Sequence, residues 1–354
     1  MKRKLLGYTI LFLSVLLTST AARSACDADN WKDCAGKPWV VGNTMETPVG
    51  EKWWPNKQWG PKDEAGSTNF YTDPEVVKRA LAEAKEGRIY SLGHPYTSDM
   101  PLLSTRSYQL RIPGTPTGGP TGSNKLVYHD EFVAAEIGQV GTQFDGLGHV
   151  GVQVGEPGDQ RNMRYYNGVT ELEMASESGL KKNGVEKLHP IVARGILIDA
   201  AGLKGVDAME VGQEITMADV RAALKRQGME DFKFMPGDYV IFRTGWTKYW
   251  IKDNKKYNSG EPGIGIEVAK WLVDEVKIGG YGGDTPATEV LPNPDPACGV
   301  CLHSYLITRN GIVNQENMDL EEIARDKVYH FLYVFVPVPL AGATGSPGAP
   351  IAIK

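Results

Sequence analysis

The chain has 354 residues, of which 41% are hydrophobic and 23% are charged, with 41 Gly, 22 Pro and 4 Cys. This composition excludes a disordered, collagen-like or coiled-coil chain, and the cysteines are too few for a disulfide scaffold of this length. The formal charge is −5, with basic residues scattered through an acidic chain. Nucleic acid and anionic membranes are therefore not expected as partners.

Residues 1–25 have the pattern of a secretory signal. A basic stretch at 2–4 precedes an apolar run over 5–17, which is too short to span a bilayer comfortably, and small residues follow up to Ala25. Removing this segment takes away four basic and no acidic residues, which leaves a mature charge of −9. The sequence therefore predicts a periplasmic or secreted protein without membrane contact after cleavage. A lipoprotein acylated on Cys26 is the alternative.

In an oxidising compartment the cysteines are expected to form disulfides. Cys26 and Cys34 lie near the mature start, and Cys298 and Cys301 lie near the other end. Four cysteines allow three connectivities, and the spacing does not choose among them. A zinc site built from all four is disfavoured, because only one pair has tight ligand spacing.

Strands and helices alternate through much of the second half of the chain, which predicts an α/β fold. No linker divides the mature chain, so we interpret it as an irregular Trp/Pro-rich extension over 26–70 and a single α/β domain over 71–354. In chain order the patterns predict a helix over 72–86, a strand over 89–92, a mobile Gly/Pro loop over 113–123, strand-like structure over 131–149, a strand over 196–199, a helix over 217–227, a strand over 239–243, a helix over 266–276, a strand over 278–281, a hairpin of 305–307 and 312–313, and a final strand over 328–338.

The segment from Gln139 to His149 is the stretch most indicative of chemistry. Residues two apart on a strand share a face, so alternate side chains from Gln139 to Asp145 are expected to point the same way. Asp145 offers a hard anionic oxygen ligand, and a Gly-Leu-Gly turn allows His149 to fold back toward it. By itself, this spacing is more typical of a buried Asp bonded to backbone amides near a surface His.

This segment resembles the signature of the metal-dependent cyclase family that includes bacterial kynurenine formamidase and isatin hydrolase, which reads His-x-Gly-Thr-His-x-Asp-x-Pro-x-His. Asp145 and His149 match, whereas glutamines stand at the two leading histidines and Leu147 stands at the proline. Further segments resemble family motifs in the family's order over about residues 88 to 353. They are Arg194–Asp199, Gly237–Trp246, Asp284–Glu289, His303 with Asn310–Asn317, and Gly342–Ile351.

The resemblance implies a swivelling β/β/α fold, a homodimer or homotetramer, and a metal site. The ligands that it implies by position are Asp145, Gln143, Gln139, His303 and Glu316. It implies His149 as the catalytic acid/base. A Gln oxygen binds zinc more weakly than an imidazole does, so one divalent ion, Mn²⁺ or Zn²⁺, is expected rather than two.

The substrate-side residues carry weaker signals. The resemblance places a substrate loop around His94, whose alternative is a solvated turn histidine. Tyr166 is a further candidate for lining the pocket, although it also fits a plain turn. Trp246 is suited to an aromatic ring or a carboxylate partner, but a core-edge position explains it equally well. No Gly-x-Ser-x-Gly motif surrounds any serine, which disfavours a nucleophilic serine.

These residues predict an exported hydrolase that cleaves a C–N bond (amide, lactam, formamide) or a C–O bond (lactone) of a small substrate through a metal-activated water. A metal lowers the pKa of bound water toward ~7, and a nearby imidazole takes and returns the proton. The first alternative is a lyase or cyclase that uses the same ion, which differs in its products. The second is a small-molecule binding protein that has lost the metal, which differs in lacking turnover.

Overall fold

The structure is a computed structural model that describes residues 53–154, 158–296 and 298–354. The predicted signal over 1–25, the first half of the predicted extension, and Cys26 and Cys34 lie outside the described residues. Among the residues that are described, no helix is both long enough and apolar enough to cross a membrane.

The elements alternate in type through the second half of the chain, as predicted. The strands are β1 Ile89–Ser91, β2 Tyr108–Arg111, β3 Gly118–Thr121, β4 Leu126–Tyr128, β5 Phe132–Ala135, β6 Gln143–Asp145, β7 Val152–Gln153, β8 Met163–Arg164, β9 Ile191–Asp199, β10 Glu214–Ile215, β11 Tyr239–Arg243, β12 Gly263–Ile264, β13 Gly280–Gly283, β14 Val313–Glu316, β15 His330–Phe335, β16 Gly345–Pro347 and β17 Ile351–Ile353. The α-helices are α1 Pro74–Leu81, α2 Glu171–Met174, α3 Ala200–Lys204, α4 Met217–Arg226, α5 Asn254–Tyr257, α6 Ile266–Trp271, α7 Cys301–His303 and α8 Glu321–Arg325.

Within the described residues, nine strands form one mixed sheet in the order β1-β17-β15-β9-β11-β13-β14-β6-β16. The central strands β9, β11, β13 and β14 are parallel, whereas every other pairing in this sheet is antiparallel. The change of direction at β14 brings β6, from the first half of the chain, beside a strand from its last fifth. This single mixed sheet confirms the predicted α/β class.

Both faces of the sheet are buried, because alternate residues of the central strands enter different cores. On β9, Ile196 and Ile198 pack into one core, whereas Ala193 and Leu197 pack into the other. The first core is covered by α4 and α6, and the second by α1 and α8. Strands that are buried on both faces are apolar throughout, which is why their sequences read as continuous hydrophobic runs.

The helix ends follow the capping residues that mark them in the sequence. Asp73 accepts a hydrogen bond from Glu75 N at the start of α1, and Thr216 with Asp219 forms a capping box at the start of α4. The predicted helix over 266–276 is present as α6 and a following π-helical turn over Leu272–Val276. The helix predicted over 72–86 is shorter, because α1 ends at Leu81.

Three expectations of local structure are wrong. The stretch 131–149 is not continuous strand, because the chain turns between β5 and β6 and Gly141 has a φ of +65°. Gln139 therefore does not share a strand face with Asp145. The loop predicted over 113–123 contains β3, which pairs with β4 as a hairpin. The segment 305–307 belongs to a π-helical turn over Ser304–Arg309, so it forms no hairpin.

The two small sheets β2–β5 and β3–β4 form an arm over residues 108–135 that exposes apolar side chains. Leu110, Leu126, Val127 and Phe132 each have about half of their surface exposed, at 52%, 54%, 53% and 50%. The arm leads directly into the turn before β6, so it lies next in sequence to the segment that carries Gln143 and Asp145.

Gly282 in β13 is a point where strand spacing depends on the absence of a side chain. A Cβ at this position would lie 2.5 Å from the carbonyl oxygen of Gln315 on β14. Gly282→Ala must therefore push β14 away, and we expect it to lower the free energy of unfolding by about 1–3 kcal/mol. Urea denaturation of the variant against the wild type measures this loss.

Gly299→Ala is the matched control, because a Cβ at Gly299 has no heavy atom within 4 Å. Its unfolding midpoint should equal that of the wild type. An unchanged midpoint for Gly282→Ala would show that β13 and β14 do not pack as closely as described.

Candidate metal centre

Three buried side chains from different elements meet at the end of β14. Asp145 lies on β6, Glu316 ends β14, and His303 ends α7. The antiparallel register pairs Asn314 with Asp145 and Glu316 with Gln143, so the polar side chains of both strands are neighbours. One potential ligand atom from each of Asp145, His303 and Glu316 lies within 4.8 Å of the other two. We refer to these three residues as the acid–imidazole cluster.

Hydrogen bonds hold the cluster in place. His303 Nε2 lies 3.0 Å from Glu316 Oε1 and 3.6 Å from Asp145 Oδ2. Asn314 Nδ2 donates to Glu316 Oε1 at 2.8 Å and to Asp145 Oδ2 at 3.3 Å. Gln143 Nε2 donates to Glu316 Oε2 at 2.6 Å. The carboxylates are therefore oriented by amide donors from the two strands that carry them.

Two buried oxygens in the site lack a hydrogen-bond donor. Gln143 Oε1 and Asp145 Oδ1 accept no hydrogen bond from any described residue. An unpaired buried oxygen is costly, and a cation is one partner that satisfies several of them at once. Two carboxylates, one imidazole and one amide oxygen form a donor set that suits a divalent ion such as Mn²⁺ or Zn²⁺. The residues present thus fit the metal that the resemblance implies.

Glu289 determines how His303 presents its ring. His303 Nδ1 lies 2.6 Å from Glu289 Oε1, and the same carboxylate accepts the backbone N–H groups of Leu302 and His303 at 3.1 Å each. A proton held on Nδ1 leaves the Nε2 lone pair facing Asp145 and Glu316. A carboxylate behind a ligating histidine fixes its tautomer and raises its basicity.

The charges of the cluster shift its pKa values strongly. Burial, together with the charge of Asp145, raises the pKa of Glu316 to about 8. Burial alone would raise the pKa of Asp145 too, but the adjacent His149 and His303 hold it below its usual value. Burial opposes protonation of His303, yet Tyr281 and the surrounding carboxylates raise its pKa well above the ordinary value. The cluster therefore holds protons that a divalent ion would displace on binding.

His149 lies beside the cluster, as its predicted role requires. The turn over 146–148 is closed by a hydrogen bond from His149 N to Gly146 O, at 3.1 Å. His149 Nε2 lies 3.8 Å from Asp145 Oδ1, and its ring centroid lies 6.5 Å from that of His303. Burial lowers the pKa of His149, although Asp145 opposes this shift.

A cavity of about 380 Å³ opens onto His303 and Glu316 of the cluster. Its polar lining contains Gln143, His149, His303 and Glu316, and also Arg106, Tyr257, Asn258 and Glu261. Its apolar lining includes Leu103, Val150, Pro286, Ala287, Leu291 and Val300. The cavity is therefore a largely apolar chamber whose wall contains His303 and Glu316 of the acid–imidazole cluster, which is the form of a small-molecule site.

Four predicted site residues lie elsewhere. Gln139 is not part of the cluster, because the chain turns before β6 and its side chain lies 3.3 Å from Thr344 Oγ1. His94 is buried and stacks on Trp250, with ring centroids 4.3 Å apart. The other two, Tyr166 and Trp246, are fully buried.

Tyr166 donates from its hydroxyl to Asp63 at 2.6 Å, and Trp246 donates from Nε1 to Tyr257 O at 3.1 Å. Neither residue is among those that line the cavity in the described chain, and the same holds for His94. Their part in substrate binding therefore stays a prediction, as does the role of Gln139 as a ligand.

The sequence interpretation missed Glu289, Glu261 and Arg106. Glu289 ends the segment Asp284–Glu289, which resembles a family motif, but the sequence alone does not indicate its contact with His303. Glu261 lines the cavity and is fully buried, and its burial raises its pKa well above the usual value. Arg106 lies in a loop with no motif around it, so no local signal marks it.

Of the four cysteines, the structure describes Cys298 and Cys301. Cys298 is bonded to Cys301, so this pair is local. Cys301 begins α7, two residues before His303. The disulfide thus closes the turn that delivers the imidazole to the cluster.

The fold and the site together define a cyclase-type α/β protein with a candidate metal centre. A family model described as Putative cyclase matches residues 90–290, and the chain belongs to this family. A solved structure described as a novel cyclase is 29% identical, has a TM-score of 0.72, and aligns over 84% of this chain and 96% of that one. The resemblance found in the sequence is thereby confirmed.

Isatin hydrolases share the fold at lower identity. Isatin hydrolase A from Ralstonia solanacearum is 18% identical, with a TM-score of 0.54 over 79% of this chain and 98% of that one. An isatin hydrolase bound to the product analogue thioisatinate is 16% identical, with a TM-score of 0.52 over 79% of this chain and 96% of that one. No curated protein matches the sequence significantly.

Glu289→Gln tests the orientation of His303. The amide keeps the size of the side chain but removes the negative charge behind the imidazole, so we expect affinity for Mn²⁺ or Zn²⁺ to fall about 10–100-fold. Calorimetric titration of metal into the chelator-treated protein measures this change. Asp274→Asn, which removes one charge from an exposed residue, is the control and should bind metal as the wild type does. Equal affinity in all three proteins would contradict the role of Glu289.

Proposed function

We propose that this protein is an exported metal-dependent hydrolase that cleaves a C–N bond (amide, lactam or formamide) or a C–O bond (lactone) of a small substrate. The observation that carries the proposal is the buried acid–imidazole cluster, which has unpaired oxygens on Asp145 and the neighbouring Gln143 and which borders a largely apolar cavity through His303 and Glu316. One divalent ion, Mn²⁺ or Zn²⁺, would be held by Asp145, His303 and Glu316, with Gln143 Oε1 adjacent.

The reaction adds water across the scissile bond, which gives a carboxylate and an amine or alcohol. When bound, the divalent ion would lower the pKa of a water molecule toward ~7 and would polarise the carbonyl group of the substrate. The protein's own part is to orient the ligands through Asn314, Gln143 and Glu289 and to exclude bulk water with the apolar walls of the cavity.

His149 supplies the proton transfer in this proposal. It lines the cavity 3.8 Å from Asp145, and burial keeps its pKa below the ordinary value. The neutral imidazole is therefore the main form at neutral pH, and it accepts a proton from water. The same nitrogen then returns the proton to the leaving nitrogen or oxygen.

The proposal is tested by metal analysis combined with a substrate screen. The purified protein should hold about one divalent ion per chain, the number that one cluster of this kind binds. It should hydrolyse a member of a panel of lactams, lactones and formamides, and chelation should abolish turnover. Absence of stoichiometric metal after reconstitution with manganese or zinc would contradict the proposal. Products lacking the elements of water would instead favour a lyase or cyclase.

His149→Ala and Asp145→Ala distinguish the role of an acid/base from the role of a metal ligand. His149→Ala should keep its metal but lose turnover roughly 10²–10⁴-fold, which is the usual contribution of a positioned acid/base. Asp145→Ala should lose both metal and turnover, because it removes the central anionic ligand. Metal content and initial rates of both variants measure this. A metal-free His149→Ala beside a metal-loaded Asp145→Ala would reverse the assignment.

Export is a separate part of the proposal. It rests on the signal-like residues 1–25 and is supported by the bond between Cys298 and Cys301, since disulfides persist in oxidising compartments. The mature N-terminus should lie within residues 23–26, and N-terminal sequencing of the exported protein measures it. Recovery of chains that still begin at Met1 would be the contrary result.

Homo-oligomerisation remains a prediction from the family resemblance. The exposed apolar side chains of the arm over 108–135 are a surface that a homodimer or homotetramer would bury.

A further inference from the structure

One cationic side chain lines the cavity without a carboxylate partner. Arg106 is half-buried, and in the part of the chain that the structure describes no carboxylate oxygen lies within 4 Å of its guanidinium. The exposed Glu136 is an acid that its charge reaches: hydrogen bonds from Ser107, and to a lesser extent Arg106, lower the pKa of that carboxyl. Its hydrogen bonds there go to one residue, Gln139: from Nη1 to the carbonyl oxygen at 2.9 Å and from Nη2 to Oε1 at 3.5 Å. Because a guanidinium has five N–H donors, several of them stay available.

The backbone around Arg106 is held on both sides. Arg106 N donates to Leu103 O at 3.2 Å, and the following Ser107 donates from its backbone N to Glu136 Oε2 at 2.6 Å. The contact between Arg106 and Gln139 adds a third attachment. The guanidinium is therefore presented to the cavity from a fixed loop rather than from a freely moving one, which reduces the entropy lost when it binds an anion.

The position of Arg106 relative to the reacting groups is informative. It lines the same chamber as His149 and Gln143, and its charge is close enough to disfavour protonation of His149. The lining that it shares with these groups also includes apolar side chains, among them Leu103, Val150 and Leu291. A guanidinium in an apolar, half-buried setting binds a carboxylate through two parallel hydrogen bonds, and the low local polarity strengthens this contact.

We propose that Arg106 binds a carboxylate of the substrate, so that the site selects small acids with an apolar, ring-sized body over their neutral analogues. That the bound acid is a substrate rests on the proposed function, whereas the carboxylate site itself is a property of the cavity. Arg106 is in this view the specificity-determining residue, and the acid–imidazole cluster acts on a bond elsewhere in the same molecule.

Benzoate and benzamide are the probes, because they share a ring and a shape and differ in charge. Ligand-observed NMR titrations with the zinc-loaded protein should show tighter binding of benzoate. Arg106→Gln should weaken benzoate about 10–100-fold, the usual worth of a charge-assisted contact, and leave benzamide unchanged. Arg106→Lys keeps the charge but lacks the two-point geometry, so its benzoate affinity should fall in between.

Lys225→Gln is the matched control, since it removes one positive charge from an exposed side chain outside the cavity lining. It should bind both probes as the wild type does. Thermal melting of each variant shows whether the fold is retained.

The outcomes separate this inference from the proposed hydrolase activity. If benzoate and benzamide weaken equally in Arg106→Gln, Arg106 only supports Gln139, and the inference is wrong even if the wild type hydrolyses amides. If the wild type does not prefer benzoate, or if Arg106→Gln retains that preference, the inference is also wrong. If the preference depends on Arg106 but no substrate is turned over, the carboxylate site stands and the hydrolase proposal fails.

Discussion

Burial of negative charge is the constraint on which the rest of the site depends. Asp145, Glu316, Glu289 and Glu261 are all buried at or beside one cavity. Removing such groups from water costs several kcal/mol each unless opposite charge and hydrogen bonds offset it. Among the described residues, His303 is the single cationic group enclosed by three of these acids, and Tyr281 together with these acids raises its pKa well above the ordinary value. A divalent ion at the unpaired oxygens would complete the compensation.

The sheet topology explains how so many acids come to lie together. The parallel centre of the sheet ends at β14, and the antiparallel β6 places Asp145 across from Asn314. The strand on the other side, β13, consists of Gly-Tyr-Gly-Gly, so the backbones there approach closely. The turn closed by the disulfide then brings His303 over the strand ends. Asp145 and Glu316 are thus positioned by strand pairing, whereas Glu261 and Glu289 lie outside the sheet in isolated backbone bridges to Leu291 and Ile264.

Much of the fold was predictable from local pattern, whereas the pairing of distant segments was not. Continuous apolar runs marked β9 and β11, and the capping residue Thr216 marked α4, because those signals act over a few residues. The residues at 305–313 suit a hairpin by local pattern, but Val313–Glu316 pairs with β13 and β6 instead. Asp145, His303 and Glu316 were proposed as ligands because their motifs resemble a family. Glu289 also ends a segment that resembles the family, but its contact with His303 is created only by folding. Arg106 has no comparable sequence signal.

The pairing of β6 also has a consequence for the order in which the protein is made. Synthesis proceeds from the N-terminus, and folding follows as partners emerge. The strand that carries Asp145 has its two neighbours at Val313–Glu316 and Gly345–Pro347, and the first strand of the sheet pairs with Ile351–Ile353. A nascent chain therefore contains Asp145 long before it contains the strands that bury it. A chain that ends before residue 313 lacks both strands that pair with β6, so Asp145 in such a truncated product stays exposed to solvent.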